Sequence, residues 1–272
     1  MNTIPKTIHY CWFGGNPLGE KELACIESWR RFLPDYKIVR WDESNFDVRS
    51  CSYVSEAFDV KKWAFVSDYA RFKILFDHGG LYFDTDVELI SPIDDIIAVG
   101  PFMGFETDCP GFGNNVDALK AAATVAAGLG LAANPGLGLY KRIIDSYSKD
   151  HFVKSDGSLD KTTVVYRVTA ILRDLGLEDI EGIQQVAGVH IYPSEFFNPK
   201  SYETGEINIT ENTRSIHHFS MSWFTDIEKY QYRVTSRLIR AGFSSSVAIR
   251  IASIITTIRF VDINRVINRL RR

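Results

Sequence analysis

Two aspartates stand one residue apart in the stretch LYFDTDVELI, which is otherwise mostly apolar and aromatic. Side chains alternate along a strand, so in an extended chain Asp84 and Asp86 would share one face with Tyr82. Two like charges this close repel each other unless a positive charge lies between them. Their oxygens suit a hard divalent cation such as Mg²⁺ or Mn²⁺, which commonly binds a substrate diphosphate as well. The pair therefore indicates a metal site, unless it is an exposed strand end with both carboxylates in water.

A second charged pair precedes the aspartates. Asp68 and Arg71 are three residues apart in KKWAFVSDYARFKILFDHGG, which has helical spacing, so they would lie on one helix face. As a surface ion pair they would contribute roughly 0.3 to 0.5 kcal/mol. Beside a metal they could instead bind a sugar hydroxyl and a phosphate oxygen, because the guanidinium fork matches phosphate geometry.

The elements that must position these groups alternate along the chain. TIHYCWF predicts a buried strand, residues 19–32 a helix, YKIVRW a second strand, and the paired Gly79 and Gly80 a stop for the following helix. The opening residues of LYFDTDVELI predict a third strand. This order predicts an α/β fold whose mostly parallel central sheet is covered by helices, with ligands at the carboxyl ends of its strands.

Composition limits the class of protein. With 272 residues, 45% hydrophobic and 24% charged, the chain can bury a sizeable core. We expect neither a secretion signal nor a membrane span, because no apolar run reaches eighteen residues. The four cysteines are irregularly spaced, which predicts free thiols in a cytoplasmic protein.

The charge is divided unevenly between a body, residues 1–232, and a tail, residues 233–272. The tail has nine arginines and one acidic residue, a net charge of +8, whereas the body carries −11. Apolar tail residues recur at helical spacing: Ile251, Ile254, Ile255, Ile258, Ile263, Val266, Ile267 and Leu270. We expect this basic amphipathic tail to bind an anionic membrane surface from the cytoplasmic side. It could instead pack on the acidic body or a second subunit; nucleic acid is disfavoured, because the body is acidic.

Several motifs, in order, resemble glycosyltransferase family 32: IPKTIHYCWFGG, SWRRFLPDYKIVRWDESNF, AFVSDYARFKILFDHGGLYFDTDVEL, YPSEFFNPKSYETG and IHHFSMSW. The family includes bacterial capsule and O-antigen transferases and yeast Golgi mannosyltransferases, and the glucosylating clostridial toxins are distant relatives. The resemblance runs from about Ile4 to Trp223. It implies a GT-A (Rossmann-like) catalytic domain at residues 1–232, a nucleotide-sugar donor, a divalent metal, and retention of anomeric configuration.

The resemblance also implies roles for individual residues. The metal ligands would be Asp84, Asp86 and His218, with His217 as the alternative to His218. Arg71 would stabilise the departing diphosphate with them. The donor would be bound by Trp12, Asp42, Asn45, Ser67, Asp68, Arg71, Tyr82 and Trp223. For Trp12 a place in the core is the alternative, and for Asp42 and Asn45 a turn.

The expected reaction moves a sugar from a UDP-sugar, such as UDP-Gal, UDP-Glc or UDP-GlcNAc, to a polyprenyl-diphosphate-linked oligosaccharide of a bacterial capsule or O-antigen. A GDP-mannose donor, a toxin-like transferase that modifies protein, and a non-catalytic nucleotide-sugar-binding protein are the alternatives. No carboxylate stands out as a nucleophile, so we expect the acceptor hydroxyl to attack from the front face. Residues 117–140 could form a helix or two short strands, and Asn114 and Asn115 could bind sugar or form a turn.

Overall fold

The structure is a computed structural model that describes residues 3–108, 123–220 and 224–260. Its strands are β1 Thr7–Cys11, β2 Lys37–Trp41, β3 Gly80–Tyr82, β4 Val87–Leu89, β5 Phe102–Thr107, β6 Thr124–Ala126, β7 Leu131–Ala133, β8 Gln184–Val186, β9 Val189–Tyr192 and β10 Ser215–His217. Its helices are α1 Glu20–Phe32, α2 Ser52–Asp59, α3 Trp63–His78, α4 Asp94–Val99, α5 Gly138–Tyr147, α6 Val164–Asp174, α7 Ser194–Phe197, α8 Asp226–Arg240 and α9 Ser245–Phe260. Two compact units result: Met1–Pro199 with Asn208–His218, and Lys200–Ile207 with Phe219–Arg272.

The first unit contains an eight-stranded sheet in the order β2-β1-β3-β7-β5-β9-β8, with β6 paired to β5. Strands β1, β2, β3, β5 and β9 run in one direction, and β6, β7 and β8 run against them. Strands β4 and β10 form a separate antiparallel pair. The predicted α/β fold with a mostly parallel central sheet is confirmed.

The predicted opening of the chain is also confirmed. Strands β1 and β2 are parallel and joined by α1, and α3 ends before Gly79 and Gly80, which have φ angles of 64° and 99°. A Cβ on Gly80 would lie 2.5 Å from the carbonyl oxygen of Thr7, so only glycine lets β3 approach β1 this closely.

The predicted strand does not continue through both aspartates. Phe83 and Asp84 still donate backbone hydrogen bonds to His9 and Gly128, but the chain then turns, and the N–H of Val87 donates to the carbonyl oxygen of Asp84. The shared strand face expected for the two carboxylates was therefore wrong. They are the first and third residues of a tight turn, residues 84–87, that carries the chain from β3 to β4.

Helix α1 fixes the position of the strand that follows this turn. The Trp29 side chain is fully buried, and its indole N–H donates to the carbonyl oxygen of Val87 at 2.8 Å. The Ser28 hydroxyl accepts a hydrogen bond from the N–H of Leu89 at 2.9 Å. One face of α1 thus holds β4 at both of its ends.

The alanine- and glycine-rich segment forms two short strands in its described part, β6 and β7, so that alternative is the one the structure adopts. Strand β6 pairs with β5, and after a turn β7 lies between β3 and β5. Asn114 and Asn115 lie outside the described residues.

The second unit contains helices α8 and α9. The side chain of Thr225 and that of Glu228 form a capping box at the start of α8. The expected boundary between residues 232 and 233 falls inside α8. The predicted tail helix is present over residues 245–260, whereas Ile263, Val266, Ile267 and Leu270 lie outside the described residues. Within those described residues, no helix is long and apolar enough to cross a bilayer.

Candidate active site

Three side chains that could bind a metal converge beyond the carboxyl end of β3. Asp84, Asp86 and His217 each offer a ligand atom, and these atoms all lie within 4.8 Å of one another. The Nε2 atom of His217 is 3.2 Å from a carboxylate oxygen of Asp86. His217 ends β10 opposite Val87, so the pairing of β10 with β4 brings the histidine to the turn that carries the aspartates.

The structure separates the two adjacent histidines. Neighbouring residues on a strand point to opposite faces, so only one of them can reach the aspartates. His218, expected as the third ligand, has its Nε2 atom 2.8 Å from a carboxylate oxygen of Glu88, and its backbone N–H donates to the carbonyl oxygen of Asp86. The geometry therefore favours the alternative, His217.

Arg71 connects this group to helix α3. The side chain is only 4% exposed, and its guanidinium donates to Asp84 at 3.2 Å, to Asp68 at 2.9 Å and to the carbonyl oxygen of Ser67 at 3.1 Å. It also lies over the ring of Tyr82, whose hydroxyl donates to the other oxygen of Asp84 at 2.9 Å. The Asp68–Arg71 pair is thus part of a buried network, and the surface-pair alternative is wrong.

Burial and neighbouring charge act against each other in this network. Burial raises the pKa of Asp68 to about 6, although the Arg71 charge opposes that change. Burial alone would lower the pKa of Arg71, but the Asp84 carboxylate and its neighbours outweigh burial and raise it. Burial likewise lowers the pKa of His217, and Asp86 more than restores it. A guanidinium that stays charged beside Asp84 is suited to an anionic ligand.

The position of Asp84 also depends on Gly128, in the turn between β6 and β7. The carbonyl oxygen of Gly128 accepts a hydrogen bond from the N–H of Asp84, and a Cβ on Gly128 would lie 2.2 Å from Asp84 Oδ2. Only a glycine lets this turn approach the carboxylate so closely. The sequence alone did not identify Gly128 as a site residue, because one glycine in an alanine- and glycine-rich run carries no specific signal.

The remaining predicted donor-binding residues have local structural partners. The indole N–H of the half-buried Trp12 donates to the carbonyl oxygen of Asn16 at 2.7 Å. Asp42 and Asn45 form a turn in which the Asn45 side chain accepts a hydrogen bond from the backbone N–H of Asp42. The hydroxyl of Ser67 donates to the carbonyl oxygen of Trp63.

Three of these residues follow the carboxyl ends of neighbouring parallel strands. Trp12 is the first residue after β1, and Asp42 is the first residue after β2. Asp84 is the second residue after β3. Their donor-binding roles stay predictions. Trp223 lies outside the described residues.

The donor set fits a divalent cation. Two carboxylates and one imidazole, with Nε2 directed at the aspartates, are ligands that Mn²⁺ accepts, and Mg²⁺ favours the two carboxylates. A cation among them would relieve the repulsion between the two aspartates. The group can therefore hold such an ion beside Arg71.

Residues 19–103 match the family described as "Glycosyltransferase sugar-binding region containing DXD motif". This stretch is therefore similar to a glycosyltransferase sugar-binding region. It includes Asp84 and Asp86, as well as Arg71 and most of the buried network around it.

Two curated proteins are similar to part of this chain. Two inositol phosphoceramide mannosyltransferases of Schizosaccharomyces pombe (strain 972) are similar, number 1 at 28% identity over 126 residues and number 3 at 31% over 121 residues. Each match covers 42% of this chain, and it covers 38% of number 1 and 32% of number 3. The matched part is thus about a third of the length of these relatives.

Three solved glycosyltransferase structures align with this chain at low sequence identity. PaToxG glycosyltransferase aligns at 18% identity with a TM-score of 0.42, covering 63% of this chain and 69% of its own. GlyE of Streptococcus pneumoniae TIGR4 aligns at 14% identity with a TM-score of 0.42, covering 91% of this chain and 63% of its own. The galactosyltransferase LgtC aligns at 13% identity with a TM-score of 0.42, covering 91% of this chain and 95% of its own.

Proposed function

We propose that this protein is a metal-dependent, retaining glycosyltransferase that takes a sugar from a nucleotide-sugar donor and transfers it to a hydroxyl of a lipid-linked oligosaccharide. The observation that carries the proposal is the convergence of Asp84, Asp86 and His217 within 4.8 Å, with Arg71 bound to Asp84. The match of residues 19–103 to the sugar-binding region supports the same reading.

The residues suggest how the transfer proceeds. A divalent cation held by Asp84, Asp86 and His217 would supply positive charge to the departing diphosphate. Arg71, fixed by its buried hydrogen bonds, adds a second positive charge on the same side. Asp68 is oriented by Arg71 and would accept a hydrogen bond from a hydroxyl of the donor sugar. The acceptor hydroxyl attacks from the face that the diphosphate leaves, and its proton passes to the leaving phosphate oxygen.

Two nucleotide-sugars are candidates for the donor. We propose a UDP-sugar, such as UDP-Gal, UDP-Glc or UDP-GlcNAc, as the first candidate. GDP-mannose is the second, because the names of both curated relatives specify mannosyl transfer. Bacterial capsule or O-antigen synthesis remains our proposal for the pathway.

Donor hydrolysis tests the proposal. Each UDP- and GDP-sugar is incubated with the full chain in Mn²⁺ and in EDTA, and nucleotide release is measured. We expect release from one donor, in Mn²⁺ only, and its loss in Asp86→Ala. Asp174→Ala removes an exposed aspartate and should keep the activity. If calorimetry also detects no Mn²⁺-dependent binding of any nucleotide, the proposal is wrong.

The second unit supports a membrane-bound acceptor. Helix α9 packs its small residues Ala248, Ala252 and Thr256 inward, and all three are buried. Four of its five isoleucines are exposed instead, among them Ile254 at 61% and Ile258 at 59%. An exposed apolar face on an arginine-rich segment fits an anionic bilayer surface, where each basic residue contributes about 1 kcal/mol.

Flotation on phosphatidylglycerol-containing vesicles tests this contact. Ile254→Asp combined with Ile258→Asp should reduce binding at least tenfold, because both apolar side chains would leave the bilayer. Ile180→Asp changes an isoleucine that is 49% exposed in the first unit and serves as the matched control. Equal binding by both variants would exclude α9 as the membrane contact, and a monomer–dimer change in ultracentrifugation would point to a second subunit.

A further inference from the structure

Glu106 is a carboxylate near the metal-binding group that the reaction described above does not use. It stands near the end of β5 and is half-buried. None of the residues that the structure describes forms a hydrogen bond or ion pair with its carboxylate. Burial without such a partner raises the pKa of Glu106, and the nearby His217 lowers it in part. A half-buried acid without a partner costs stability, which suggests a role in binding.

The backbone at Glu106 is irregular. Phe105 lies opposite Val125 and Thr107 lies opposite Thr124, so the pairing of β5 with β6 passes over Glu106. This is a β-bulge, and bulges redirect a side chain out of the regular alternation and are frequent beside active sites. The bulge therefore takes the Glu106 side chain out of the regular alternation of β5.

A chain of contacts links the bulge to the metal-binding group. The carbonyl oxygen of Glu106 accepts a hydrogen bond from the Asn198 side chain at 2.9 Å. The preceding residue, Phe197, accepts one from the hydroxyl of Ser215, where β10 begins. His217 is two residues further along β10, and its charge and that of Glu106 influence each other. Glu106 is therefore linked to the group through β10, the strand of His217, whereas Arg71 contacts Asp84 from helix α3.

We infer that Glu106 binds the acceptor, by accepting a hydrogen bond from a sugar hydroxyl; this inference rests on the proposed function. Because Asp68 and Arg71 serve the donor at Asp84, a carboxylate at His217 is available to a second substrate. Carboxylates are strong acceptors for hydroxyl donors. In the transfer, the acceptor oxygen bonds to the anomeric carbon, and the bond from that carbon to the phosphate oxygen breaks with its electron pair going to phosphate. The hydroxyl proton goes to that phosphate oxygen, so Glu106 holds the acceptor and is not consumed.

Competition between water and sugar tests this inference. The full chain is given Mn²⁺ and the donor that it hydrolyses, together with a panel of methyl glycosides of glucose, galactose, mannose and N-acetylglucosamine. We expect the wild type to transfer to at least one glycoside. In Glu106→Gln the ratio of transfer to hydrolysis should fall about tenfold or more, through a higher KM for the glycoside, because a site built for a hydroxyl loses its partner. The KM should recover in part in Glu106→Asp.

Controls separate the possible failures. Glu178→Gln removes an exposed carboxylate of the same unit and should leave the ratio unchanged. Thermal unfolding checks that each variant is folded, and Mn²⁺-dependent nucleotide binding checks the proposed function by itself. If binding is present but the ratio is unchanged in Glu106→Gln, or no glycoside accepts the sugar from the wild type, the inference is overturned while the metal-dependent donor site stands. If binding is absent in the wild type, the proposed function itself fails.

Discussion

Gly128 allows the candidate site to be disturbed without changing any charge. In Gly128→Ala the new methyl group would lie 2.2 Å from Asp84 Oδ2, about 1.2 Å short of the 3.4 Å at which ordinary contact begins. The backbone at Gly128 does not have the positive φ that would strain an alanine. The carboxylate of Asp84, held by Arg71 and Tyr82, must therefore move by about 1 Å or push the turn away.

Metal ligands tolerate displacements of only about 0.2 Å, and a misplacement of about 1 Å at an active site can cost on the order of 10²-fold. We expect Gly128→Ala to weaken Mn²⁺-dependent nucleotide binding by about 100-fold, as measured by isothermal titration calorimetry in Mn²⁺ and in EDTA. Gly138→Ala is the matched control, because nothing lies within 4 Å of its added methyl group. If Gly128→Ala binds within threefold of the wild type, Asp84 does not belong to the binding site as described.

The remaining predictions concern the metal ligand, the buried network and a buried histidine. His217→Ala should lower Mn²⁺ affinity at least tenfold in calorimetry, whereas His218→Ala should change it less than threefold. Arg71→Met leaves two carboxylates without their counter-charge and should lower the free energy of unfolding by about 3 kcal/mol in urea. Burial lowers the pKa of His9 from 6.5 to about 4, so the unfolded chain takes up the proton first. Stability should thus fall as pH drops from 6.5 to 4, by at most ~3 kcal/mol, and His9→Gln should remove that loss.

Each of these expectations has an outcome that would contradict it. Equal losses of Mn²⁺ affinity in the two histidine variants would contradict the assignment of His217, rather than His218, as the third metal ligand. A change below 1 kcal/mol in the free energy of unfolding of Arg71→Met would mean that water reaches the network of Arg71, Asp68 and Asp84.

Asp68, whose raised pKa makes stability fall as pH rises through about 6, opposes the His9 effect in the wild type. The comparison is therefore between wild type and His9→Gln, and identical pH profiles would refute the role given to His9.

Local patterns were enough to predict the first elements of the fold. Strand β1, helices α1 and α3 and strand β2 each have a clear apolar pattern, and the two glycines after α3 fit only a helix stop. The choice of Asp84 and Asp86 as candidate metal ligands also followed from residue type and spacing. The turn between them did not, because its hydrogen bond from Val87 to Asp84 depends on β4 leaving the main sheet to pair with β10.

The parts of the site that the sequence did not predict come from distant segments. His217 is selected over His218 by the register of β10 against β4, which adjacent letters in the sequence cannot specify. Gly128 lies in the turn between β6 and β7, and Glu106 lies in a bulge of β5; both positions are set by long-range strand pairing. Such pairings carry no local signal.

The central claim is that Asp84, Asp86 and His217 together hold the cation that binds the donor diphosphate. Crystals grown with Mn²⁺ and UDP, or GDP if calorimetry selects it, would test this by anomalous scattering at the manganese edge. The account predicts one strong peak about 2.0 to 2.3 Å from an atom of each of the three residues and from the diphosphate. A bound nucleotide with no manganese there, or manganese held by His218 and Glu88 instead, would contradict it.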